Sequence, residues 1–398
     1  AAAAGVAGAA PPPGAATLAR GRPIRRILLM QLKWMGDVLM CTPAIRAVRR
    51  AYPEATIDFA TGVEGAAVLE GNPHLDEVLV WRRGRAGLAM LWQIARRHYD
   101  AVVDFRSTPR DAWYVLASRA RIRAGMRGRG PRTLAYTHLF EWGQGPRYMA
   151  ARKLEPLRAL GIEPPASPEA ALELVTSERE RAWARETLAR HALAGGPIVA
   201  VSPVTRVHYK QWGAEKWAAV ADALAGAGAR VLITSGPGEL EQARAVAQRM
   251  KHHAVFDYGR TSIRQLAALY EHCALWVGND GGAKHIAVAV GTPTVTVFRH
   301  REGEVWTDGS ASSPHLAIER EPVLPCIYPH CGGCKHLSCL EQLAAGDVVA
   351  LALRAFAEAV QPGPAPGPAT GPSDAAPPGS RGSAGTPAAA ASPAGDAR

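Results

Sequence analysis

Short, continuously apolar segments alternate with helical stretches along most of this chain. The apolar runs end abruptly at polar or glycine-rich turns, as at Arg26–Gln31, Ile198–Ser202 and Thr294–Phe298. Strands covered on both faces give such runs, because neither side of the sheet meets water. Helical stretches such as Leu88–His98 and Ala214–Ala225 separate them. The alternation predicts an α/β fold whose parallel sheets are built from βαβ units.

The pattern starts again at Ile198, after a polar, helix-like stretch that ends at Ala194. We therefore expect two Rossmann-like, doubly wound domains, an N-terminal one at 24–195 and a C-terminal one at 196–360. Doubly wound sheets bind ligands at the carboxyl ends of their strands, so two such domains that face each other form a central cleft. The sequence thus predicts an active site between the domains.

The two ends of the chain differ from the rest in composition. Residues 1–23 and 361–398 consist mostly of alanine, proline and glycine. This composition favours disordered tails, because large apolar side chains are lacking. No apolar run approaches the roughly 20 residues of a membrane span, and the N-terminus lacks the basic-then-apolar pattern of a secretory signal. These features predict a soluble, cytoplasmic protein.

Positive charge is concentrated in the first part of the chain. The net charge is +11, and residues 1–150 hold 22 Lys and Arg against 11 Asp and Glu, while the remainder holds 24 of each. The basic segments 106–110 and 119–132 are candidates for gripping an anionic ligand, or are solvated loops. That ligand would be a nucleic acid, an acidic lipid or a phosphorylated glycan. Nucleic acid is disfavoured, because we find no groove-reading element and expect no exposed aromatic side chains among these arginines.

The first candidate site is the segment Gln31–Val38, at the end of the first predicted strand. Gly36 permits a tight turn there, and Asp37 lies at or near the start of the next helix. A carboxylate in that position either caps the helix or acts as a general base directed into the cleft. The segment is not a dinucleotide-binding fingerprint, since the G-x-G-x-x-G sequence is missing.

Hydroxyl and cationic side chains follow the first strand of the second domain. Thr205, Arg206 and Lys210 lie in the loop after Ile198–Ser202. Such groups suit a phosphate leaving group, although an ordinary polar loop gives the same pattern.

The segment 277–287 joins a strand, a glycine-rich turn and a helix start. Bare backbone N–H groups at such a helix start form an anion site, although a plain βα turn is the alternative. Asp280 is suited to bind sugar hydroxyls, and His285 either reaches a phosphate or packs within the fold.

Four of the six cysteines lie within 14 residues, namely Cys326, Cys331, Cys334 and Cys339. Four thiols in such a segment bind zinc or an iron–sulfur cluster, or remain reduced structural cysteines. Stable disulfides are disfavoured in a reducing cytosol. The spacing differs from the usual pair of C-x2-C motifs.

These four sites, in this order and spacing, resemble the lipopolysaccharide heptosyltransferases of glycosyltransferase family nine. The resemblance covers about residues 25–360 and rests most on ILLMQLKWMGDVLMCTPAIRAVRRAYPEATID and VGNDGGAKHIAVAVGTPTVTVF. The Lys33-x-x-Gly36-Asp37 sequence and the cysteine cluster are most similar to the heptosyltransferase three branch. Two positions depart from the family pattern: Val204 replaces the first of a usual pair of hydroxyl residues, and Arg299 replaces a common glycine.

The resemblance implies a GT-B fold and inverting transfer of a heptose from ADP-heptose to the lipopolysaccharide inner core, with no cofactor or catalytic metal. It implies that Asp37 is the general base and that Lys210 stabilises the diphosphate leaving group. By the same resemblance, Asp280 holds the heptose. The implied donor-binding residues are Thr205, Glu239, Asp280, Gly281, Gly282 and His285, and the acceptor-binding candidates are Lys33, Arg106 and Arg110.

The implied partners are a nucleotide sugar and the lipopolysaccharide core, with peripheral contact at the cytoplasmic face of the inner membrane. Two other functions stay open from the residues alone. One is a related GT-B enzyme that uses another nucleotide sugar. The other is a non-catalytic protein that binds a nucleotide sugar or an anionic lipid.

Overall fold

The computed structural model describes residues 22–128, 130–141, 148–164, 170–252, 254–256, 261–328, 330–334 and 336–361. The predicted tails at 1–23 and 361–398 lie almost entirely outside the described residues. The described residues up to Val360 form one compact unit. Within the described part, no helix is both long enough and apolar enough to cross a bilayer.

The first sheet has six strands, and every neighbouring pair is parallel. Its strands are β1 (Arg26–Gln31), β2 (Thr56–Gly62), β3 (Glu77–Trp81), β4 (Ala101–Asp104), β5 (Ile122–Met126) and β6 (His138–Phe140). Their order across the sheet is β3-β2-β1-β4-β5-β6. The helices of this part are α1 (Met35–Leu39), α2 (Thr42–Ala51), α3 (Val63–Leu69), α4 (Arg85–Arg97), α5 (Pro109–Ala117), α6 (Met149–Arg152) and α7 (Glu178–Arg190).

The second sheet repeats this order with six more parallel strands. Its strands are β7 (Ile198–Ser202), β8 (Arg230–Ile233), β9 (Val255–Phe256), β10 (Leu275–Asn279), β11 (Thr294–Val297) and β12 (His315–Ile318). Their order is β12-β11-β10-β7-β8-β9. The helices are α8 (Ala214–Gly226), α9 (Leu240–Ala247), α10 (Ile263–Tyr270), α11 (Gly282–Ala289), α12 (Gly303–Trp306), α13 (Ser338–Glu341) and α14 (Ala345–Val360).

The two faces of the first sheet bury different layers of helix. Ile27 and Leu29 of β1 face a core that continues into the second sheet, whereas Leu28 and Met30 face a separate core beneath α4 and α5. This alternation follows from the period of two along a strand. All of these side chains are buried, which explains why β1 is an unbroken apolar run.

The basic segment 119–132, a candidate for binding an anionic ligand or for a solvated loop, contains a strand. Its centre is the buried strand β5, which pairs with β4 and β6. The guanidinium of Arg123 donates hydrogen bonds to the carbonyl oxygens of Ala135 (2.6 Å) and Ala120 (2.7 Å). The strand was not predicted from the sequence, because arginines alternate with the apolar residues at its start and leave no continuous apolar run.

Arg264 on α10 connects the two sheets through their helices. Its buried guanidinium donates to the carbonyl oxygens of Ala67 (3.2 Å) and Glu70 (2.9 Å), at and just after the end of α3. It also donates to the carbonyl oxygen of Val175 (3.0 Å) and to the carboxylate of Glu180 (2.8 Å). Because a guanidinium has five donors in a fixed plane, one side chain holds four segments together.

Candidate active site

The motifs singled out in the sequence lie at the carboxyl ends of the central strands of both sheets. Asp37 follows β1 and Arg106 follows β4, whereas Lys210 follows β7 and Gly281 follows β10. In each sheet these are the two adjacent strands from which the chain winds in opposite directions. The crevice outside such a switch point is where doubly wound sheets bind ligands. Four loops from two sheets therefore supply the candidate site.

The starts of α1 and α11 touch each other. A Cβ atom added at Gly36 would lie only 2.6 Å from Cδ2 of His285, and one added at Gly282 would lie 2.6 Å from Cε of Met35. Gly36 is therefore needed for this close approach. The positive φ of the turn (68°) lies instead at Trp34, a conformation that costs energy for a bulky residue.

Asp37 lies in the first turn of α1 and does not cap the helix, whose N-cap residue is Trp34. Its Oδ1 is 3.7 Å from Nζ of Lys153, and its side chain is 26% exposed. Burial raises the pKa of Asp37, while the charges of Lys153, Arg106 and Lys210 oppose that rise. The result is a carboxylate more basic than an exposed one, beside three cations.

Lys153 was not identified from the sequence, although it is the cation next to Asp37. Its ammonium is buried and donates to Oε1 of Gln31 (2.9 Å) and to the carbonyl oxygen of Phe105 (3.1 Å). The only signal in the sequence is a lysine among apolar residues of the segment 148–160. These two hydrogen bonds fix the position of the Lys153 ammonium beside the carboxylate of Asp37.

Lys210 belongs to a cluster of buried charges. It forms an ion pair with Asp280, and its Nζ lies 3.8 Å from Oε2 of Glu302. Burial disfavours the charge on Lys210, but the two carboxylates outweigh it and raise its pKa. Burial also opposes the charge of Asp280, yet the charge of Lys210 and its hydrogen bond lower the pKa of that carboxyl. Lys210 is therefore a fixed cation at neutral pH.

Arg299, which departs from the family pattern, belongs to the same cluster. Its buried guanidinium pairs with Glu302 and lies 4.8 Å from the ring centroid of Tyr209. Glu302 is thus shared between Arg299 and Lys210. The sequence did not identify Glu302, because its role depends on a contact between loops that are far apart in the chain.

The start of α11 has the features of an anion site. Its N-cap residue is Gly281, and the hydroxyl oxygen of Thr205 lies 3.5 Å from the position of a Cβ on that glycine. His285 is buried, and burial lowers its pKa to about 3, so the ring is neutral at pH 7. Its Nδ1 is buried and has no hydrogen-bond partner among the described residues. Burial likewise lowers the pKa of Lys284 to about 8.

The sequence profile of glycosyltransferase family 9 (heptosyltransferase) matches residues 88–327, more than half of the chain. The chain belongs to glycosyltransferase family 9. It is 26% identical over 295 residues to lipopolysaccharide heptosyltransferase 3 of Escherichia coli K12, and the aligned region covers 69% of this chain and 83% of that protein. It is 24% identical over 331 residues to lipopolysaccharide heptosyltransferase 1 of Pseudomonas aeruginosa, and that alignment covers 77% of this chain and 87% of the relative. The protein is thus a glycosyltransferase, as predicted.

Several solved structures share the fold of this chain. A glycosyl transferase of family 9 from Veillonella parvula has a TM-score of 0.75 at 22% identity and covers 84% of this chain and 98% of its own. E. coli ADP-heptose lps heptosyltransferase II has a TM-score of 0.66 at 18% identity and covers 84% and 99%. E. coli heptosyltransferase WaaC, solved with ADP-2-deoxy-2-fluoro heptose, has a TM-score of 0.60 at 21% identity and covers 84% and 99%. The predicted α/β fold of GT-B type, with two Rossmann-like domains, is confirmed.

A cavity of 440 Å³ opens at the turn between β1 and α1 of this family 9 transferase. Lys33 lines it together with two tryptophans and two arginines, namely Trp34, Trp81, Arg82 and Arg83. Arg110 lies next to the cavity, with its guanidinium 4.6 Å from the ring centroid of Trp81. Two of the three acceptor-binding candidates, Lys33 and Arg110, therefore adjoin one cavity, and the third, Arg106, lies close to Asp37.

Glu239 has a local contact of its own. Its Oε2 accepts a hydrogen bond from the backbone N–H of Gly236 (2.7 Å), which closes the turn before α9. The carboxylate follows β8, a strand next to β7. Its role as a ribose ligand stays a prediction.

The cysteine segment contains only free thiols, at Cys326, Cys331, Cys334 and Cys339. Burial raises the pKa of Cys331, and the neighbouring Cys326 and Cys339 contribute to that rise. Among the described residues, which omit 329 and 335 of this segment, no group of three or more suitable side chains could hold a metal. A metal at this segment stays a prediction.

The contact between α1 and α11 predicts different effects for two glycine substitutions. Gly36→Ala should lower the free energy of unfolding by about 1–3 kcal/mol, because its Cβ meets the buried ring of His285. Gly282→Ala is the matched control, since its Cβ meets only the flexible end of Met35. Urea denaturation of both variants measures the difference. Equal destabilisation by the two substitutions would contradict the packing described here.

Proposed function

We propose that this glycosyltransferase moves a heptose from ADP-heptose to the inner core of lipopolysaccharide, with inversion at the anomeric carbon. Family membership supports the reaction class. One observation carries the mechanism: Asp37 and Lys210 follow strands of different sheets, yet Gly36, next to Asp37, packs against His285 of the second sheet's helix α11. The charge of Lys210 also opposes the rise in the pKa of Asp37. A base and a cation that face one gap are what a displacement with a diphosphate leaving group requires.

The donor is assigned to the C-terminal domain, at 196–360. The backbone N–H groups at Gly281 and Gly282 and the hydroxyl of Thr205 would bind the diphosphate. Glu239, at the end of the neighbouring strand, would bind the ribose. The complex of WaaC with an ADP-heptose analogue supports ADP-heptose as the donor. A UDP or GDP sugar is the alternative.

The reaction is a single displacement. The oxygen of an acceptor hydroxyl attacks the anomeric carbon, and Asp37 removes its proton as the new C–O bond forms. The bond from that carbon to the diphosphate oxygen breaks, and ADP leaves with the electron pair. Lys210 and the start of α11 stabilise the developing negative charge, while Asp280 orients the sugar. Fixed cations at the leaving group make a catalytic metal unnecessary in this mechanism.

The acceptor is assigned to the N-terminal domain, at 24–195. The phosphates and carboxylates of an inner core would meet Lys33, Arg106 and Arg110, which explains the excess of positive charge in this half. Since such an acceptor is attached to a membrane lipid, the enzyme would work at the cytoplasmic face of the inner membrane. Its partners would be the nucleotide sugar and the lipopolysaccharide core, and not nucleic acid.

The reaction itself is tested by mass spectrometry after incubation with ADP-heptose and a core-truncated lipopolysaccharide. The proposal expects a product heavier by one heptose. Calorimetry with ADP-heptose, UDP sugars and GDP sugars tests the donor. Tight binding of a UDP or GDP sugar, with none for ADP-heptose, would overturn the donor assignment.

Asp37→Asn should lower kcat by about 10²–10⁴-fold, because the amide cannot accept the proton of the acceptor hydroxyl. The dissociation constant for ADP-heptose should be unchanged, since the base contacts the acceptor and not the nucleotide. Asp347→Asn, at an exposed position in the first turn of α14, is the control. Lost donor affinity with preserved turnover would argue against this role of Asp37.

The pH dependence of kcat/KM should depend on Lys153. Asp37 is active when deprotonated, and burial raises its pKa above 3.8, so activity is lost as the pH falls through that raised value. Because Lys153 lowers the pKa of Asp37, Lys153→Met should move this acid limb to higher pH. Lys251→Met, an exposed lysine, is the control. A limb that stays in place would show that the limb belongs to another group.

A further inference from the structure

The helices that cover one side of the first sheet expose large apolar side chains on their outer surface. These side chains, which we call the outer face, are between 47% and 80% exposed, and they are Leu88, Trp92, Trp113, Leu116 and Leu134. The opposite sides of the same helices are buried against the sheet, as Met90, Ile94 and Val115 show. The outer face is therefore not needed for the core.

The elements that carry the outer face lie next to one another. The hydroxyl of Tyr114 on α5 donates to the carbonyl oxygen of Gly87 on α4 (3.3 Å), and α5 also packs against the short 3-10 helix Pro131–Ala135. Single exposed apolar residues are common on proteins, but several on adjacent elements, including two tryptophans, indicate an interaction surface. Exposed aromatic side chains among the arginines contradict our expectation from the sequence.

The charge around the outer face is strongly positive. Residues 82–135 contain thirteen arginines and three aspartates. Two of these aspartates, Asp104 and Asp111, are buried, and Asp100 accepts hydrogen bonds from the backbone N–H groups of Arg25 and Arg26. Arg97, Arg121 and Arg127 are paired with carboxylates. The other exposed arginines give the region its positive charge.

One arginine is paired directly with the apolar surface. The guanidinium of Arg96 lies 4.2 Å from the ring centroid of Trp92. A tryptophan beside an arginine suits a boundary between an apolar phase and water, because the ring enters the apolar side and the guanidinium stays hydrated. The headgroup region of an anionic bilayer provides both environments.

The outer face also adjoins the cavity at the candidate site. The cavity is lined by Trp81, Arg82 and Arg83, which immediately precede α4, and Arg110 of α5 stacks on Trp81. The helices that carry the outer face therefore begin at the wall of the cavity. A glycan that is anchored in a bilayer beneath this face has a short path to the cavity.

We propose that the outer face docks the enzyme on a bilayer that contains anionic phospholipids. Tryptophan and leucine would enter the interface, and the arginines would bind phosphate headgroups. A second copy of the chain is disfavoured as the occupant, because a symmetric dimer would bring two arginine-rich surfaces together. The inference rests on the proposed function only in naming a lipid-anchored acceptor as the reason for docking.

The test is co-sedimentation of the full chain with vesicles. Vesicles of phosphatidylcholine alone should bind little protein, whereas vesicles that also contain phosphatidylglycerol should bind it, and salt should weaken the binding. The double variant Trp92→Ser and Trp113→Ser should reduce the partition coefficient about tenfold. Arg96→Gln and Arg119→Gln should each reduce it about fivefold, because a basic residue near an anionic surface contributes that much.

Matched substitutions at exposed sites elsewhere control for general effects of charge and hydrophobicity. They are Val323→Ser with Leu324→Ser for the apolar change, and Arg320→Gln and Arg354→Gln for the charge change. These variants should bind vesicles like the wild type. If they lose as much binding as the outer-face variants, the inference is wrong.

Three further results would overturn it. The first is that the wild type does not bind anionic vesicles. The second is that the outer-face variants bind them as the wild type does. The third is that the variants lose self-association measured by analytical ultracentrifugation, which would make the face a protein interface. Transfer to a delipidated core oligosaccharide separates this inference from the proposed function. The outer-face variants should retain that transfer, because none of the changed residues lines the site. If the wild type transfers heptose to the delipidated oligosaccharide but does not bind anionic vesicles, the docking surface is refuted while the proposed function stands.

Discussion

The close approach of two helix starts is the constraint on which the site depends. Gly36 of α1 meets the ring of His285, and Gly282 of α11 meets Met35. Because a Cβ at Gly36 would meet the ring of His285, α1 and α11 approach each other this closely only while that position has no side chain. The buried guanidinium of Arg264 supports the same arrangement from the side, by joining α10 to the end of α3.

Electrostatic balance explains why the loops at the carboxyl ends of the central strands tolerate so many charges. Asp37 lies beside Lys153, and Lys210 is shared between Asp280 and Glu302, which in turn pairs with Arg299. A buried charge without a partner is costly, so each of these groups is held by another. A diphosphate would join this network as a further anion. The neutral His285 adds no charge there, because burial lowers its pKa to about 3.

The sequence predicted the strands that are apolar on both faces and missed strands that are short or interrupted by charge. The bounds of β1 and β7 agree with their predictions, since each is a central strand buried on both sides. Strand β5 was missed because Arg123 interrupts its five residues, and β9 has only two residues. The motifs after β1, β7 and β10 were found from local patterns. Lys153 and Glu302 were not, because their positions in the site depend on packing between distant segments.

In the proposed mechanism the second sheet holds the nucleotide and the first sheet presents the base. A crystal structure of the protein with bound ADP would show where the nucleotide lies. We expect the diphosphate at the start of α11, within hydrogen-bond distance of the N–H groups of Gly281 and Gly282 and of the ammonium of Lys210. A nucleotide bound instead at the edge of the first sheet, beside Lys33 and Asp37, would contradict the assignment of both substrates.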